Sequence, residues 1–143
     1  MSFRRCGALI YIDRMESEHL TIPPAALVLV SDGRRARFLR NTGTAAEPHL
    51  VLESALDFEN PRLAMEAADW HQQAEERFAS QVANLLYHME HARKFDELVV
   101  VAPPKMLGDL RARLHREVAD CVIAEVARDL TGHPLPEIGR LLS

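Results

Sequence analysis

The stretch DWHQQAEERFA, residues 69–79, holds the densest group of side chains that could bind a partner or catalyse a reaction. His71 offers an imidazole that can exchange a proton, while Gln72 and Gln73 offer amides that can orient a water or a ligand. The spacing of Asp69 and Gln72 also matches a capping box, which satisfies backbone N–H groups at a helix start. The stretch is therefore predicted to begin a helix whose tip a partner could contact.

A long apolar stripe predicts the helix that positions this tip. Gln73 points away from the stripe, so His71, Gln72 and Gln73 form the candidate binding tip, whereas the stripe itself is expected to pack on a core. Trp70 leads the stripe and is predicted to be buried. The apolar residues that recur at steps of three and four are Trp70, Ala74, Phe78, Val82, Leu85, Leu86 and Met89.

Two groups of basic residues are candidates for contacts with an anion or RNA. Lys105 follows a strand that ends in Pro-Pro, where a helix start leaves backbone N–H groups free to bind an anion. The alternative is an ordinary helix start with Lys105 in solvent. The second group, on the first predicted hairpin, could touch phosphate or form a solvated strand face. Its members are Arg34, Arg35, Arg37 and Arg40.

The chain shows no pattern typical of a metal site or a nucleophilic enzyme. His88 and His91 lie three residues apart on the predicted helix, but no Cys or carboxylate partner is assured. No phosphate-binding glycine loop, G-x-S-x-G or H-E-x-x-H motif occurs, and no serine lies in a recognisable catalytic setting. The sequence therefore predicts no metal and no cofactor.

Composition indicates one globular domain that works in a reducing compartment. The 143 residues are 48% hydrophobic and 27% charged, and the formal net charge is −4. This net charge excludes a general attraction to nucleic acid or anionic membrane, so such contacts must use a local patch. The only cysteines are Cys6 and Cys121, too few for a disulfide scaffold. We expect a cytoplasmic protein with no membrane association.

Residues 1–22 are predicted to form a weakly ordered leader ahead of a domain at residues 23–143. The segment MSFRRCGALIYIDRM places Arg4 and Arg5 before a short apolar run, but it lacks a small-residue cleavage site. Translation from Met15 is an alternative that would remove most of this segment.

The order of elements predicts an α/β fold with a mixed sheet of about five strands and helices on both faces. Strands of near-continuous apolar character indicate positions buried on both sides. The predicted strands are residues 26–30, 34–41, 49–58, 97–102 and 121–130, and the predicted helices begin at residue 69, cover residues 105–118 and cover residues 135–142.

Four blocks of sequence resemble the bacterial host attachment protein family over roughly residues 25–142. They read ALVLVSDGRRARFLRN, DWHQQAEERFASQVANLL, FDELVVVAPPKMLGDLRARLHREV and DLTGHPLPEIGRLL. That family is similar in fold to the middle domain of archaeo-eukaryotic release factors and of the related ribosome-rescue protein pelota. The resemblance implies the same fold here.

The resemblance also implies where a catalytic tip would lie. Release factors of this type carry a Gly-Gly-Gln tip, followed by an Arg-Phe pair, whose glutamine positions the hydrolytic water. On this sequence His71, Gln72 and Gln73 fall on that tip. Gln73 is kept and both glycines are replaced, which implies that the flexible tip has become helix.

We therefore expect a non-enzymatic binding module that acts on the ribosome or a tRNA-bearing complex. A segment that is longer and rich in Gly and Arg in the family is reduced here to ENPRLAMEAAD, residues 59–69. One alternative is an interaction protein related to host attachment that acts from the cytoplasm. The other is a weak hydrolase in which Gln73 places a water.

Overall fold

A six-stranded mixed sheet forms the centre of the molecule. The computed structural model describes residues 10–12, 22–57 and 68–142, and the side chains of 22–57 and 75–142. The strand order is β1-β6-β5-β2-β3-β4. Strands β1, β6, β5 and β2 run parallel to one another, and β3 pairs antiparallel with both β2 and β4. The strands are β1 Ile10–Ile12, β2 Leu27–Ser31, β3 Arg35–Asn41, β4 Leu50–Asp57, β5 Leu98–Ala102 and β6 Val122–Ala127.

Within the described residues, four helices cover both faces of this sheet, which confirms the predicted fold class. One buried cluster joins α1 and α2 to alternate residues of the sheet, such as Leu29 and Val100. A second cluster joins α4 to the residues between them, such as Val28 and Val99. Because side chains alternate along a strand, these clusters lie on opposite faces. The helices are α1 Ala68–His91, α2 Pro104–Arg113, α3 Arg116–Ala119 and α4 Leu135–Leu142.

The two central strands, β2 and β5, agree with their prediction from the sequence because they are buried on both faces. Every residue of β2 and β5 is buried, as the continuous apolar runs LVLVS and LVVVA require of strands covered on both sides. The edge strand β4 is different, because most of its residues are exposed. The stripe on α1 packs as predicted where side chains are described: Phe78, Val82 and Leu86 are fully buried.

A tight turn joins β2 to β3, as the Asp-Gly pair predicts. The Asp32 carboxylate accepts hydrogen bonds from the backbone N–H groups of Arg34 at 2.8 Å and Arg35 at 2.7 Å. The backbone N–H of Asp32 donates to the carbonyl of Arg35 at 2.9 Å. The side chain of Asp32 therefore fixes the backbone of the turn and directs Arg34 and Arg35 into solvent.

The second predicted helix was too long. It was expected over residues 105–118, but α2 ends at Arg113, and Leu114 and His115 are extended before the short α3. The apolar spacing continues across this break, so the sequence pattern does not reveal it. Leu110, Leu114 and Val118 lie four apart, and Leu110 and Val118 are buried on either side of it. The break therefore preserves the packing that a continuous helix would have indicated.

Two parts of the predicted leader belong to the sheet domain. Ile10–Ile12 forms β1, which pairs in parallel with Ala124–Val126 of β6. Ile22 is fully buried in the cluster beneath α4. A three-residue strand is too short to show an alternating pattern, which is why the sequence did not reveal it. The remainder of residues 1–21 lies outside the described part of the chain, and so the leader boundary stays a prediction.

Candidate functional site

The backbone of the predicted binding tip belongs to the first turns of α1. His71, Gln72 and Gln73 follow the helix start at Ala68, and their side chains lie outside the described part of the chain. The next described side chain, Glu75, shows what surrounds this end of the helix. A Cβ atom added to Gly33 would lie 2.8 Å from the Glu75 side chain. The tip of the first hairpin is therefore in close contact with the start of α1.

The start of α2 meets the same two elements. The Lys105 ammonium lies 3.6 Å from a carboxylate oxygen of Glu75 and 3.5 Å from one of Asp109. Together with the contact at Gly33, these ion pairs bring the β2–β3 turn, the start of α1 and the start of α2 together. All three lie at the carboxyl ends of β2 and β5, where open α/β sheets commonly bind ligands. We call Asp32, Gly33, Glu75 and Lys105 the carboxyl-edge cluster. The structure thus brings the predicted tip, the hairpin turn and Lys105 to one edge of the sheet.

The charge around Lys105 is not that of a ready anion site. Its ammonium has two carboxylates as neighbours, and its side chain is 52% exposed. An incoming phosphate would have to compete with both carboxylates for a single cation. An anion contact at Lys105 stays a prediction, and it requires Glu75 or Asp109 to move aside.

The four arginines of the first hairpin divide into two pairs. Arg34 and Arg35 are exposed at the turn, beside the start of α1. Arg37 is half-buried and donates to the carbonyl of Thr131. Arg40 makes two hydrogen bonds to the Glu53 carboxylate, at 3.0 and 2.9 Å, and one to the carbonyl of Ala25 at 2.9 Å. Arg34 and Arg35 are thus placed to meet a partner, whereas Arg37 and Arg40 bind the fold together.

The loop after β6 closes the carboxyl edge. The Thr131 hydroxyl donates to Asp129 at 2.6 Å and lies 3.2 Å from the carboxylate of Asp32. A hydroxyl has one proton to donate, so the shorter contact to Asp129 is the stronger one. The Ser31 hydroxyl is fully buried and lies 2.9 Å from the backbone carbonyls of both Asp32 and Arg35, to one of which it donates. These groups hold the loop and the hairpin together, and neither hydroxyl is arranged as a nucleophile beside a base.

A polar groove between α1 and α2 is a feature that the sequence analysis missed. Its volume is about 460 Å³. The Arg113 guanidinium donates to the Ser80 hydroxyl at 3.0 Å and to the carbonyl of Asp109 at 3.2 Å. The available signal was the i, i+4 spacing of Ser80 and Asn84, which places both on one side of α1. The groove is lined by Ser80, Gln81, Ala83, Asn84, Arg113 and His115.

Three imidazoles surround Tyr87 at one end of this groove. The centre of the Tyr87 ring lies 4.1 Å from that of His115, 4.3 Å from that of His91 and 5.6 Å from that of His88. The two histidines that suggested a shared metal thus both contact an aromatic ring. Among the residues with described side chains, no three His, Cys, Asp or Glu are grouped so that they could hold a metal ion. No helix within those residues is long and apolar enough to cross a membrane.

The structure is a single α/β domain with two polar surfaces, the carboxyl-edge cluster and the groove between α1 and α2. The first of these lies where strand ends meet helix starts. A family model matches residues 58–142, more than half of the chain, and includes α1, α2, β5, β6 and α4. The chain belongs to the bacterial archaeo-eukaryotic release factor family 12. No curated protein matches it in sequence.

Three solved structures are similar to this chain at low identity. An archaeal translation termination factor, aRF1, is 14% identical with a TM-score of 0.48, over 78% of this chain and 32% of that one. A structure described as an archaeal protein is 10% identical with a TM-score of 0.45, over 82% and 36%. The Aquifex aeolicus Ppx/GppA phosphatase is 13% identical with a TM-score of 0.40, over 71% and 34%. This chain therefore spans about a third of the length of each.

Proposed function

We propose that this protein is a non-catalytic binding module that engages the ribosome or a tRNA-bearing complex through the start of α1. The observation that carries this proposal is the helical backbone at His71, Gln72 and Gln73, within α1 Ala68–His91. In the release factors that the sequence resembles, a Gly-Gly-Gln tip approaches the ester bond. A helical backbone with non-glycine residues at these positions has less conformational freedom than a Gly-Gly-Gln loop, which suits recognition better than close approach to an ester.

The surroundings of the tip support a binding role over hydrolysis. Asp32 accepts two backbone hydrogen bonds, and Lys105 is held by two carboxylates. Neither is arranged to activate a water beside Gln73. Arg34 and Arg35 project from the adjacent turn and are exposed. Exposed arginines of this kind suit RNA phosphates, which position a binding protein without reading sequence.

The proposal is tested by co-sedimentation with ribosomes at low salt. Gln73→Ala should reduce the fraction of protein that pellets with ribosomes, because the side chain lies on the proposed contact. Arg34→Gln with Arg35→Gln should reduce it further and weaken its dependence on salt. Arg140→Gln, on the exposed surface of α4, is the control and should pellet like the native protein. Equal pelleting by all four proteins would contradict the proposal.

A peptide-release assay separates binding from catalysis. Stalled ribosomes that carry a labelled peptidyl-tRNA should release no peptide with the native protein. The double variant His71→Gly and Gln72→Gly should release none either, because the connection before α1 is short. Release by the native protein that disappears in Gln73→Ala would replace the binding module with a hydrolase that uses Gln73.

A further inference from the structure

We propose that the groove between α1 and α2 binds one nucleotide of single-stranded RNA. The groove lies beside the middle of α1, whereas the proposed tip contact lies at its start. Its polar lining consists of Ser80, Gln81, Asn84, Arg113 and His115, each of which can donate a hydrogen bond. None of the described residues that line it is a carboxylate. One oriented cation and several polar side chains, set in a lining that is more apolar than polar, favour a ligand with an anionic group, hydrogen-bonding edges and an apolar face.

Arg113 is oriented by neutral acceptors, and its remaining N–H groups can donate to a ligand, which would compete with the carboxylates of Glu76 and Asp109 for its charge. Its Nε donates to the Ser80 hydroxyl and one terminal nitrogen donates to the backbone carbonyl of Asp109. The nearest carboxylate oxygens, from Glu76 and Asp109, are both 4.0 Å away. A guanidinium has five N–H donors in a planar fork, so two fixed bonds orient it without using its full capacity. We assign Arg113 to the phosphate of the nucleotide.

His115 provides the surface for a base. Its ring is exposed and is tilted by 30° from Tyr87, with ring centres 4.1 Å apart. His91 contacts the same tyrosine at 4.3 Å with its ring inclined by 59°, so Tyr87 lies between two imidazoles and supports the ring of His115. Aromatic side chains that are fixed in this way stack on unpaired bases of RNA. The base would lie on His115, with the amides of Asn84 and Gln81 facing its edge or its ribose.

The combination of a stack and a guanidinium favours RNA over an acidic peptide, which would use the cation but not the aromatic surface. The volume of about 460 Å³ falls within the range typical of small-ligand sites. The choice of RNA rests on the proposed function, whereas the presence of an anion site rests on the lining alone. Because the net charge is −4, we expect weak binding that falls steeply as salt rises.

The test is fluorescence anisotropy of a labelled single-stranded oligoribonucleotide, roughly ten nucleotides long, at low salt. Asn84→Asp and Gln81→Glu replace a donor by an anion at nearly constant shape, and each should lower affinity roughly tenfold. Arg113→Gln should lower the slope of log affinity against log salt by roughly 0.7, the loss of one phosphate contact. His115→Ala should weaken binding roughly tenfold through lost stacking.

Two controls carry the same changes of charge at exposed sites away from the groove. Ala46→Asp adds one negative charge in the loop before β4, and Arg140→Gln removes one positive charge from α4. Both should bind the oligonucleotide within about twofold of the native protein. Arg113→Gln also removes contacts between α1 and α2, so its fold is checked by thermal unfolding. Neither the Asn84 nor the Gln81 side chain hydrogen-bonds to the described part of the chain, and their variants should fold normally.

Several outcomes would overturn the assignment to RNA. Binding by Asn84→Asp and Gln81→Glu equal to that of the native protein would exclude the groove. Tighter binding of an acidic peptide than of RNA would make it a site for a protein partner. The ribosome experiment and the oligonucleotide experiment can fail separately, because Gln73→Ala leaves the groove intact and Asn84→Asp leaves the tip intact. Oligonucleotide binding without Gln73-dependent pelleting would support the groove and contradict the proposed function.

Discussion

The cations at the two ends of α2 differ in their hydrogen-bond partners. At its start, the ammonium of Lys105 lies within 3.6 Å of Glu75 and donates to the carboxylate of Asp109 at 3.5 Å. At its end, the guanidinium of Arg113 hydrogen-bonds to a hydroxyl and a carbonyl, and the nearest carboxylates are 4.0 Å away. Both cations thus have two carboxylates nearby, but Lys105 hydrogen-bonds to a carboxylate, whereas Arg113 is oriented by neutral groups.

This difference shows that the hydrogen-bond partners of a basic residue affect how it can hold an anion. Carboxylates near either cation offset part of the charge that a ligand would otherwise meet. Where the cation hydrogen-bonds to a carboxylate, an incoming anion must also displace that partner. Where it hydrogen-bonds to neutral oxygens, its geometry is fixed and the remaining donors can contact the anion. The carboxyl-edge cluster therefore suits contacts with a large partner that brings many groups, while the groove suits a single anionic group.

Loss of α1 packing should remove both surfaces together, because α1 contributes to each. Phe78 is fully buried between α1 and the sheet. Phe78→Ala should lower the free energy of unfolding by about 3–5 kcal/mol, through lost burial and the cavity left behind. Urea unfolding measures this, with exposed Asn84→Ala as the control, which should cost only a few tenths of a kcal/mol. Retention of RNA binding together with loss of ribosome binding would show that the surfaces do not share α1.

Removal of one carboxylate beside Lys105 should make the start of α2 more attractive to an anion. Glu75→Gln keeps the shape of the side chain beside Gly33 and leaves Lys105 with Asp109 alone. Affinity for the oligonucleotide should rise by roughly twofold to fivefold at low salt, an effect of about 0.4–1 kcal/mol for one exposed charge. Glu137→Gln on α4 removes the same charge far from Lys105 and should change affinity less. An equal gain in both variants would mean that net charge, not the surroundings of Lys105, controls binding.

Sequence patterns predicted the elements with regular burial. The strands around Val28 and Val99 are continuous apolar runs, and the stripe that includes Phe78 recurs every three to four residues. Both patterns are visible in a short window of sequence. The break after Arg113 and the strand at Ile10–Ile12 were missed. The i, i+4 apolar spacing continues across the break after Arg113, and the strand at Ile10–Ile12 is too short to show a period.

The groove was hidden for a different reason. Arg113 and His115 come from the end of α2 and the link to α3, whereas Ser80 and Asn84 come from α1. These residues are brought together only by the packing of the helices, so no local sequence motif indicates the groove. In the same way, sequence placed Lys105 at a helix start but could not show that Glu75, thirty positions earlier, would lie beside it.

Arg40 and Glu53 show a third environment, in which a guanidinium and a carboxylate satisfy each other. The side-chain hydrogen bond from Arg40 holds the pKa of Glu53 below its usual range, and partial burial opposes this only in part. A carboxyl with a lowered folded-state pKa stabilises the fold above the unfolded pKa of glutamate. That contribution is lost as the pH falls through the lowered folded-state value.

Glu53→Gln should therefore have the smallest effect, and one that depends on pH. At neutral pH it should cost about 0.2–0.5 kcal/mol, because the Glu53 side chain is 41% exposed and water screens the pair. Below the lowered pKa of Glu53, where the native carboxyl is protonated, the two proteins should have nearly equal free energies of unfolding. Urea unfolding at neutral and at acid pH measures both values, and Glu47→Gln, in the exposed loop before β4, is the control. A difference that stays constant down to acid pH would mean that Arg40 stabilises Glu53 through packing, with no contribution from its charge.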